Sequence, residues 1–166
     1  MITGTGVHDR PESAFTIDWN ECSRSTGIRV HDPPEYALLV TQETIKHFGP
    51  DGGSIINLST TVTRNPPAGA SLYVASKSAI EAVTRVLAKE LGPRKIRVNA
   101  ISPGEVETEG TRTAGIIGSD FEKQLLQQTP LGRTGQPNDI ALVAVFLASD
   151  DARWVTGEIL AASGGL

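Results

Sequence analysis

Residues 54–77 read SIINLSTTVTRNPPAGASLYVASK, and this stretch decides the fold. Its first six residues form a short apolar run between turn signals, which predicts a buried strand. The residues that follow are rich in proline, glycine and threonine and predict a loop. From Ser71 apolar residues recur at helical spacing as far as Leu91, and Gly92-Pro93 ends the predicted helix.

The same alternation of helix and strand continues on both sides of that stretch. The further predicted elements are a helix from Glu35 to Gly49-Pro50, a strand over 96–101, a loop over 105–120, a short helix over 121–128, a helix from Asn138 or Asp139 to Ala148, and a strand over 157–161. This order indicates an α/β fold with a parallel sheet covered by helices on both faces. Such sheets bind ligands beyond the carboxyl ends of their strands. Those ends are predicted at Ser59-Thr60, Pro103-Gly104 and Ser163.

Residues 1–35 differ in character from the rest of the chain. They mix polar residues, prolines and isolated apolar residues without a sustained period of 2 or 3.6 residues. Pro33-Pro34 disfavours helix immediately before it and can start one immediately after it. We therefore expect an irregular or disordered segment at 1–35 and a folded unit over 36–166.

The composition is that of an ordinary globular domain. Lys and Arg number 15 against 19 Asp and Glu, for a formal net charge of −4. This argues against a nucleic-acid or anionic-membrane surface, since both need a basic patch. Cys22 is the single cysteine, so no intrachain disulfide forms. No apolar run approaches the roughly 18 residues of a membrane span, and no signal-peptide pattern opens the chain, so we expect a cytoplasmic protein.

Tyr73 and Lys77 stand four residues apart on the predicted helix and therefore share one face. A nearby ammonium favours the ionised form of a phenol, so this spacing suits proton transfer to or from a carbonyl or alcohol oxygen. A hydroxyl at the end of the preceding strand, in the Ser59-Thr60-Thr61 run, could hydrogen-bond the same oxygen. The alternatives are an amphipathic pair on a solvated helix face and hydroxyls that serve only turn chemistry.

Several motifs in this order resemble the short-chain dehydrogenase/reductase family. They are SIINLS at 54–59, YVASK at 73–77, IRVNAISPG at 96–104, PLGR at 130–133, PNDIA at 137–141, FLASD at 146–150, TG at 156–157 and SGG at 163–165. The resemblance is nearest to the glucose-dehydrogenase-like and 3-oxoacyl-carrier-protein-reductase-like branch. It implies a Rossmann-type doubly wound parallel sheet, of which this chain would hold the C-terminal portion. It also implies hydride exchange between NAD or NADP and a small-molecule alcohol, ketone or aldehyde.

The resemblance assigns three catalytic roles. In that family the tyrosine is the general acid/base, which implies this role for Tyr73. Lys77 would favour the ionised form of the tyrosine and bind the nicotinamide ribose. The family's catalytic serine lies thirteen residues before the tyrosine, a position held here by Thr60, with Ser59 as its neighbour. Threonine keeps the hydroxyl, but its methyl restricts the rotamer.

The resemblance also implies cofactor contacts after the 96–101 strand. Pro103-Gly104 would turn the chain beneath the nicotinamide, Val106 would pack near the ring, and Thr108 would bond the carboxamide or the phosphates. The segment 105–128 would be a mobile lid over substrate, with a plain surface connection as the alternative. Relatives are commonly tetramers built through the long helix and the last strand, so a homo-oligomer is expected by resemblance.

The family's N-terminal features are not recognisable in the chain. A glycine-rich turn before a helix N-terminus should hold the cofactor's pyrophosphate. Thr3-Gly4-Thr5-Gly6 lacks the spacing, the preceding strand and the following helix of that turn. The asparagine that the family carries in the helix before residue 54 would fall near Pro33-Pro34. The second hypothesis is therefore a catalytically inactive remnant, truncated or frame-disrupted, without the pyrophosphate-binding half.

Other polar and aromatic residues have structural explanations at this stage. Backbone bonding is expected for Asn99 and helix capping for Asp139. Trp154 is expected to be a core or subunit-contact residue. The three histidines show no metal-ligand spacing, so no catalytic metal is predicted; they are His8, His31 and His47.

Overall fold

The structure, a computed structural model, describes residues 34–166 and the side chains of residues 37–166. The predicted irregular segment 1–35 lies almost wholly outside the described residues, so its irregularity stays a prediction.

Helices and strands alternate along the described chain. The helices are α1 (Pro34–Thr44), α2 (Ser71–Leu91), α3 (Glu109–Thr113), α4 (Asp120–Gln128) and α5 (Pro137–Ala148), and the strands are β1 (Gly53–Leu58), β2 (Ile96–Pro103) and β3 (Ile159–Ala162). Three single-turn 3₁₀ segments, Thr61–Thr63, Gly92–Arg94 and Asp150–Ala152, complete the order. The long helix has the predicted bounds, and the predicted α/β class is confirmed.

The first helix is shorter than the sequence predicts. It ends at Thr44 instead of continuing to Gly49-Pro50. Beyond Thr41 the backbone changes to i→i+3 hydrogen bonds, from Lys46 N to Glu43 O and from His47 N to Thr44 O. Such bonds tighten the last turn of a helix and end it.

The three strands form one parallel sheet in the order β1-β2-β3. In the β1–β2 pair the register begins with Gly53 beside Ile96, and in the β2–β3 pair it begins with Ala100 beside Ile159. The last strand begins at Ile159 and not at the predicted Gly157. Gly157 has φ +79, a left-handed conformation that strands do not adopt, and its N–H instead bonds Val98 O at 2.7 Å.

Apolar side chains bury both faces of this sheet. Neighbouring residues of a strand point to opposite faces. Ile55 accordingly packs with Leu87 and Leu91 of α2, whereas Ile56 packs with Leu147 of α5. The predicted coverage of both faces by helices is therefore confirmed for the described part of the chain.

Some apolar surface stays exposed in the described part. There β1 pairs only with β2 and forms an edge of the sheet, and Leu58 at its end is 55% exposed. Trp154 is 97% exposed, so the expectation of a core position for it is wrong. It lies just after the Asp150–Ala152 turn, which leaves it outside the packed layer. None of the helices over residues 34–166 combines the length and the apolar character needed to cross a membrane.

Candidate active site

The end of β1 passes directly into the predicted catalytic hydroxyl. Ser59 continues the ladder, because its N–H donates to Ile101 O at 2.8 Å. Thr60 then has extended dihedrals and caps the Thr61–Thr63 turn, since its side-chain oxygen accepts from Val62 N at 3.4 Å. The local sequence therefore uses the threonine hydroxyl as a turn acceptor, which was the structural alternative.

This capping role leaves the hydrogen of the Thr60 hydroxyl uncommitted. A hydroxyl both accepts and donates, and within residues 37–166 this one donates no hydrogen bond. Thr60 is 8% exposed, so the residue as a whole is shielded from solvent. A desolvated donor interacts more strongly with a developing negative charge than a solvated one.

Helix α2 begins at Ser71 and has Tyr73 in its first turn. The Tyr73 hydroxyl makes no hydrogen bond to the part of the chain that the structure describes. One turn further on, Lys77 Nζ donates to the carbonyl oxygen of Leu58 at 3.2 Å. Lys77 therefore joins the helix that carries the tyrosine to the strand that leads into Thr60.

Two more side chains of α2 hold the same strand end. Thr84 Oγ1 accepts from Asn57 Nδ2 at 2.9 Å. Glu81 Oε1 lies 2.6 Å from Ser59 Oγ and 2.8 Å from Thr63 Oγ1, both of which donate to it. The residues from Asn57 to Thr63 are thus bound to successive turns of one helix face.

The end of β2 contacts both of its neighbours. Pro103 O accepts from Thr61 Oγ1 at 3.2 Å, which brings the loop after β1 against the end of β2. Gly104 N donates to Ala162 O at 3.1 Å. A Cβ on Gly104 would lie 2.9 Å from Ser163 Cα, so only glycine allows this close approach.

The two remaining predicted cofactor residues have structural partners. Val106 forms an isolated parallel bridge with Gly135. Thr108 caps α3 in a capping box, in which its side chain accepts from Thr111 N and Thr111 Oγ1 accepts from Thr108 N at 2.8 Å. The structure places both residues just beyond β2 and assigns Thr108 a helix-capping role.

The predicted loop over 105–120 is not entirely irregular. The α3 helix, Glu109–Thr113, lies inside it and is capped by Thr108. The sequence does not reveal this cap, because the whole segment is rich in threonine and glycine. The α4 helix follows, capped by Ser119, whose side chain accepts from Glu122 N. The candidate lid therefore consists of two short capped helices.

Glu105 is a half-buried residue at the start of this candidate lid. One oxygen of Glu105 is inaccessible to solvent and has no hydrogen-bond partner among the described residues. Burial raises the pKa of Glu105, and the charge of Glu122 raises it further. Glu122 itself has a lowered pKa, because Thr134 Oγ1 and Gly118 N donate to it. The two carboxyl groups therefore differ in their tendency to ionise.

The residues with expected structural roles behave as follows. Asn99 is fully buried, and its side-chain amide bonds the backbone, as predicted. Its Nδ2 donates to Val155 O at 2.9 Å, and its Oδ1 accepts from Glu158 N at 3.1 Å. The last helix begins at Pro137, so Gln136 is its N-cap in place of Asn138 or Asp139. Proline takes the first helical position because its missing N–H has no partner there in any case.

Asp139 instead supports that cap from inside the helix. Its carboxylate accepts from Gln136 N at 2.7 Å and from both terminal nitrogens of Arg133, at 2.7 and 2.9 Å. These hydrogen bonds lower the pKa of Asp139 to about 2, and those from Arg133 have a larger effect than the one from the Gln136 backbone. Over residues 34–166, no three His, Cys, Asp or Glu side chains are grouped as a metal site would require.

Two residues of this region did not stand out in the sequence. Glu81 lies four residues after Lys77 and eight after Tyr73, so helical spacing alone could have placed it on their face. Glu105 gives no comparable signal, because its burial depends on packing between β2 and the lid.

The comparisons with known proteins agree with this geometry. The family model described as enoyl-(acyl carrier protein) reductase matches residues 17–166. An uncharacterized oxidoreductase of Methylorubrum extorquens is 60% identical over 129 residues, which cover 78% of this chain and 52% of that protein.

Solved structures show the same architecture. A short-chain type dehydrogenase/reductase from Mycobacterium ulcerans superposes with a TM-score of 0.73 at 30% identity, covering 89% of this chain and 52% of that one. The angucycline C-6 ketoreductase LanV with bound NADP gives a TM-score of 0.67 at 35% identity, covering 77% and 48%. The chain thus spans about half the length of the relatives that it matches.

The chain belongs to the short-chain dehydrogenase/reductase family, with a Rossmann-type parallel sheet. This confirms the family predicted from the motifs at 54–165.

Proposed function

We propose that the chain is the catalytic part of a NAD- or NADP-dependent oxidoreductase that interconverts a small-molecule alcohol with a ketone or aldehyde. Tyr73 is the general acid/base. The observation that carries this proposal is the hydrogen bond from Lys77 Nζ to Leu58 O at 3.2 Å. It fixes the helix of the tyrosine and lysine against the strand that leads into Thr60.

The donor set at this edge fits the nicotinamide and ribose end of such a cofactor. The ammonium of Lys77 suits ribose hydroxyls, and the hydroxyls of Tyr73 and Thr60 suit a reacting carbonyl oxygen. The end of β2 and the residues just after it are assigned to the nicotinamide side. They are Pro103, Gly104, Val106 and Thr108. No described residue is assigned to the pyrophosphate.

The chain's own residues supply the proton chemistry. The reduced nicotinamide, when bound, supplies a hydride to the carbonyl carbon. Tyr73 donates its phenolic proton to the carbonyl oxygen, so that one C–H and one O–H bond form and a tyrosinate remains. The Lys77 charge stabilises that tyrosinate, and the Thr60 hydroxyl donates to the same substrate oxygen. Alcohol oxidation is the reverse sequence.

The family membership supports the reaction type, and the NADP-bound ketoreductase among the relatives supports a carbonyl substrate. The α3 and α4 helices follow the strand end directly, so we propose that they close over the substrate. A homo-oligomer is proposed by family resemblance, and sedimentation velocity tests it.

Titration with NADH and NADPH, followed by nicotinamide fluorescence, tests the proposed function. Saturable binding at micromolar concentration to the folded chain supports an oxidoreductase. A folded sample that binds neither nucleotide supports the second hypothesis, an inactive member of the family. Circular dichroism on the same sample separates that result from a failure to fold.

A further inference from the structure

Glu81 forms bonds on both sides of Thr60. Its Oε1 accepts from Ser59 Oγ at 2.6 Å and from Thr63 Oγ1 at 2.8 Å. Ser59 directly precedes the candidate catalytic hydroxyl, and Thr63 closes the 3₁₀ turn that Thr60 caps. A single carboxylate oxygen therefore holds both ends of the segment that carries this hydroxyl.

The Glu81 side chain is well shielded from solvent. It is 14% exposed, and its second oxygen lies 3.7 Å from Arg85 Nη2, one helical turn further on. Hydrogen bonds to a charged acceptor are about twice as strong as neutral ones, and more so when water is excluded. The anchor therefore ties the loop to the helix that also carries Tyr73.

Thr63 extends this restraint to Thr60 itself. Its hydroxyl oxygen lies 2.8 Å from Glu81 Oε1 and also 2.8 Å from the backbone carbonyl oxygen of Thr60. The one hydroxyl hydrogen is shared between those acceptors. The backbone of Thr60 is thus connected through Thr63 to the carboxylate.

We infer that Glu81 is a positioning residue that sets the distance between the Thr60 hydroxyl and the Tyr73 hydroxyl. The inference rests on the proposed function, since it assigns Thr60 to the reacting oxygen. Glu81 touches neither substrate nor cofactor in this account. Its effect is on the rate of the chemical step, because misplacing a catalytic group by about 1 Å costs on the order of 100-fold in rate.

The test compares Glu81→Met, which keeps the side-chain length and removes the acceptor, with Glu81→Gln, which keeps one acceptor oxygen. Glu90→Met is the matched control, since Glu90 lies exposed on the same helix. We expect Glu81→Met to lower kcat about 10- to 100-fold with NADPH affinity unchanged. Glu81→Gln should recover most of that loss, whereas Glu90→Met should change neither quantity.

Amide hydrogen exchange in residues 59–63 provides a readout that needs no turnover. Glu81→Met should accelerate exchange there relative to Glu90→Met, and Glu81→Gln should restore protection. Unchanged exchange overturns the inference, whether or not the wild type is active. Faster exchange with a kcat equal to that of Glu90→Met overturns it as well. An inactive, folded wild type overturns the proposed function instead.

Discussion

Lys77 Nζ donates a hydrogen bond to the carbonyl oxygen of Leu58 at 3.2 Å. This contact joins the first half of α2 to the last residue of β1. The proposed function uses this lysine toward the ribose, and its bond to Leu58 O also fixes the strand end beside it. The helix that carries the tyrosine and the strand that leads into Thr60 are therefore held against each other.

Tyr73→Phe tests the assignment of the proton donor. Removing the phenolic hydroxyl should lower turnover of ethyl acetoacetate with NADPH about 10²- to 10⁴-fold, because the general acid is lost. The unfolding midpoint should stay unchanged, since the hydroxyl makes no hydrogen bond within the described chain. Steady-state rates measure the turnover, and urea denaturation measures the midpoint. Full activity in Tyr73→Phe would contradict the assignment.

Thr60→Ser and Thr60→Val separate the hydroxyl of this residue from its shape. Serine keeps the donor and should keep turnover. Valine preserves the volume and loses the donor, so kcat should fall about 10²- to 10³-fold, as for loss of one oxyanion donor. Equal kcat values for the two variants, measured with NADPH in excess, would mean that Thr60 serves only to cap the 3₁₀ turn.

Much of the fold could be predicted from the sequence, because strong local signals coincide with it. Apolar periodicity and Gly92-Pro93 place α2 at Ser71–Leu91, as observed. The turn glycines are less informative. The sequence predicts that Gly157 starts the last strand, but its φ is left-handed and its N–H bonds Val98 O.

The candidate site was predicted in outline only. The spacing of Tyr73 and Lys77 places them on one face, and the structure adds the contact with Leu58 that spacing does not contain. The contacts of Glu81 with Ser59 and Thr63, and the burial of one Glu105 oxygen, come from tertiary packing that residue spacing does not contain. Short helices such as α3 depend on a single capping residue, Thr108, within a segment of loop-like composition.

Gly104→Ala tests the close approach of the ends of β2 and β3. The added Cβ would lie 2.9 Å from Ser163 Cα, so backbone must shift, at a cost of about 1–3 kcal/mol in the free energy of unfolding. Gly49→Ala is the control, because a Cβ there meets nothing within 4 Å. Urea denaturation measures both. Equal midpoints for the two variants would show that the strand ends do not approach in this way.

Glu105→Gln tests the half-buried carboxyl at the start of the candidate lid. Burial raises the pKa of Glu105 in the folded chain above the ordinary value of a glutamate. Below the ordinary pKa the carboxyl group is neutral in both the folded and the unfolded chain and costs the folded chain nothing. As the pH rises through the folded pKa, the free energy of unfolding falls, because ionisation is costly where the group is shielded from water. The wild type should therefore lose more stability than Glu105→Gln as the pH rises.

Urea midpoints of both proteins between about pH 5 and about pH 8 measure that difference. Asp139 does not interfere in this range, because its pKa is lowered to about 2 and its contribution is lost only as the pH falls toward that value. Parallel pH profiles of the wild type and Glu105→Gln would show that Glu105 is solvated.

The most direct test of the account is deuterium transfer from nicotinamide to a ketone. The folded chain is incubated with ethyl acetoacetate and with either NADH or NADPH, each carrying two deuterium atoms on the reactive carbon, and the product alcohol is analysed by mass spectrometry. The wild type should yield an alcohol with one deuterium on the carbinol carbon, and Tyr73→Phe should yield none. A folded wild type that yields no deuterated alcohol from this or other small ketones, or a Tyr73→Phe variant that yields as much as the wild type, would contradict the proposed function.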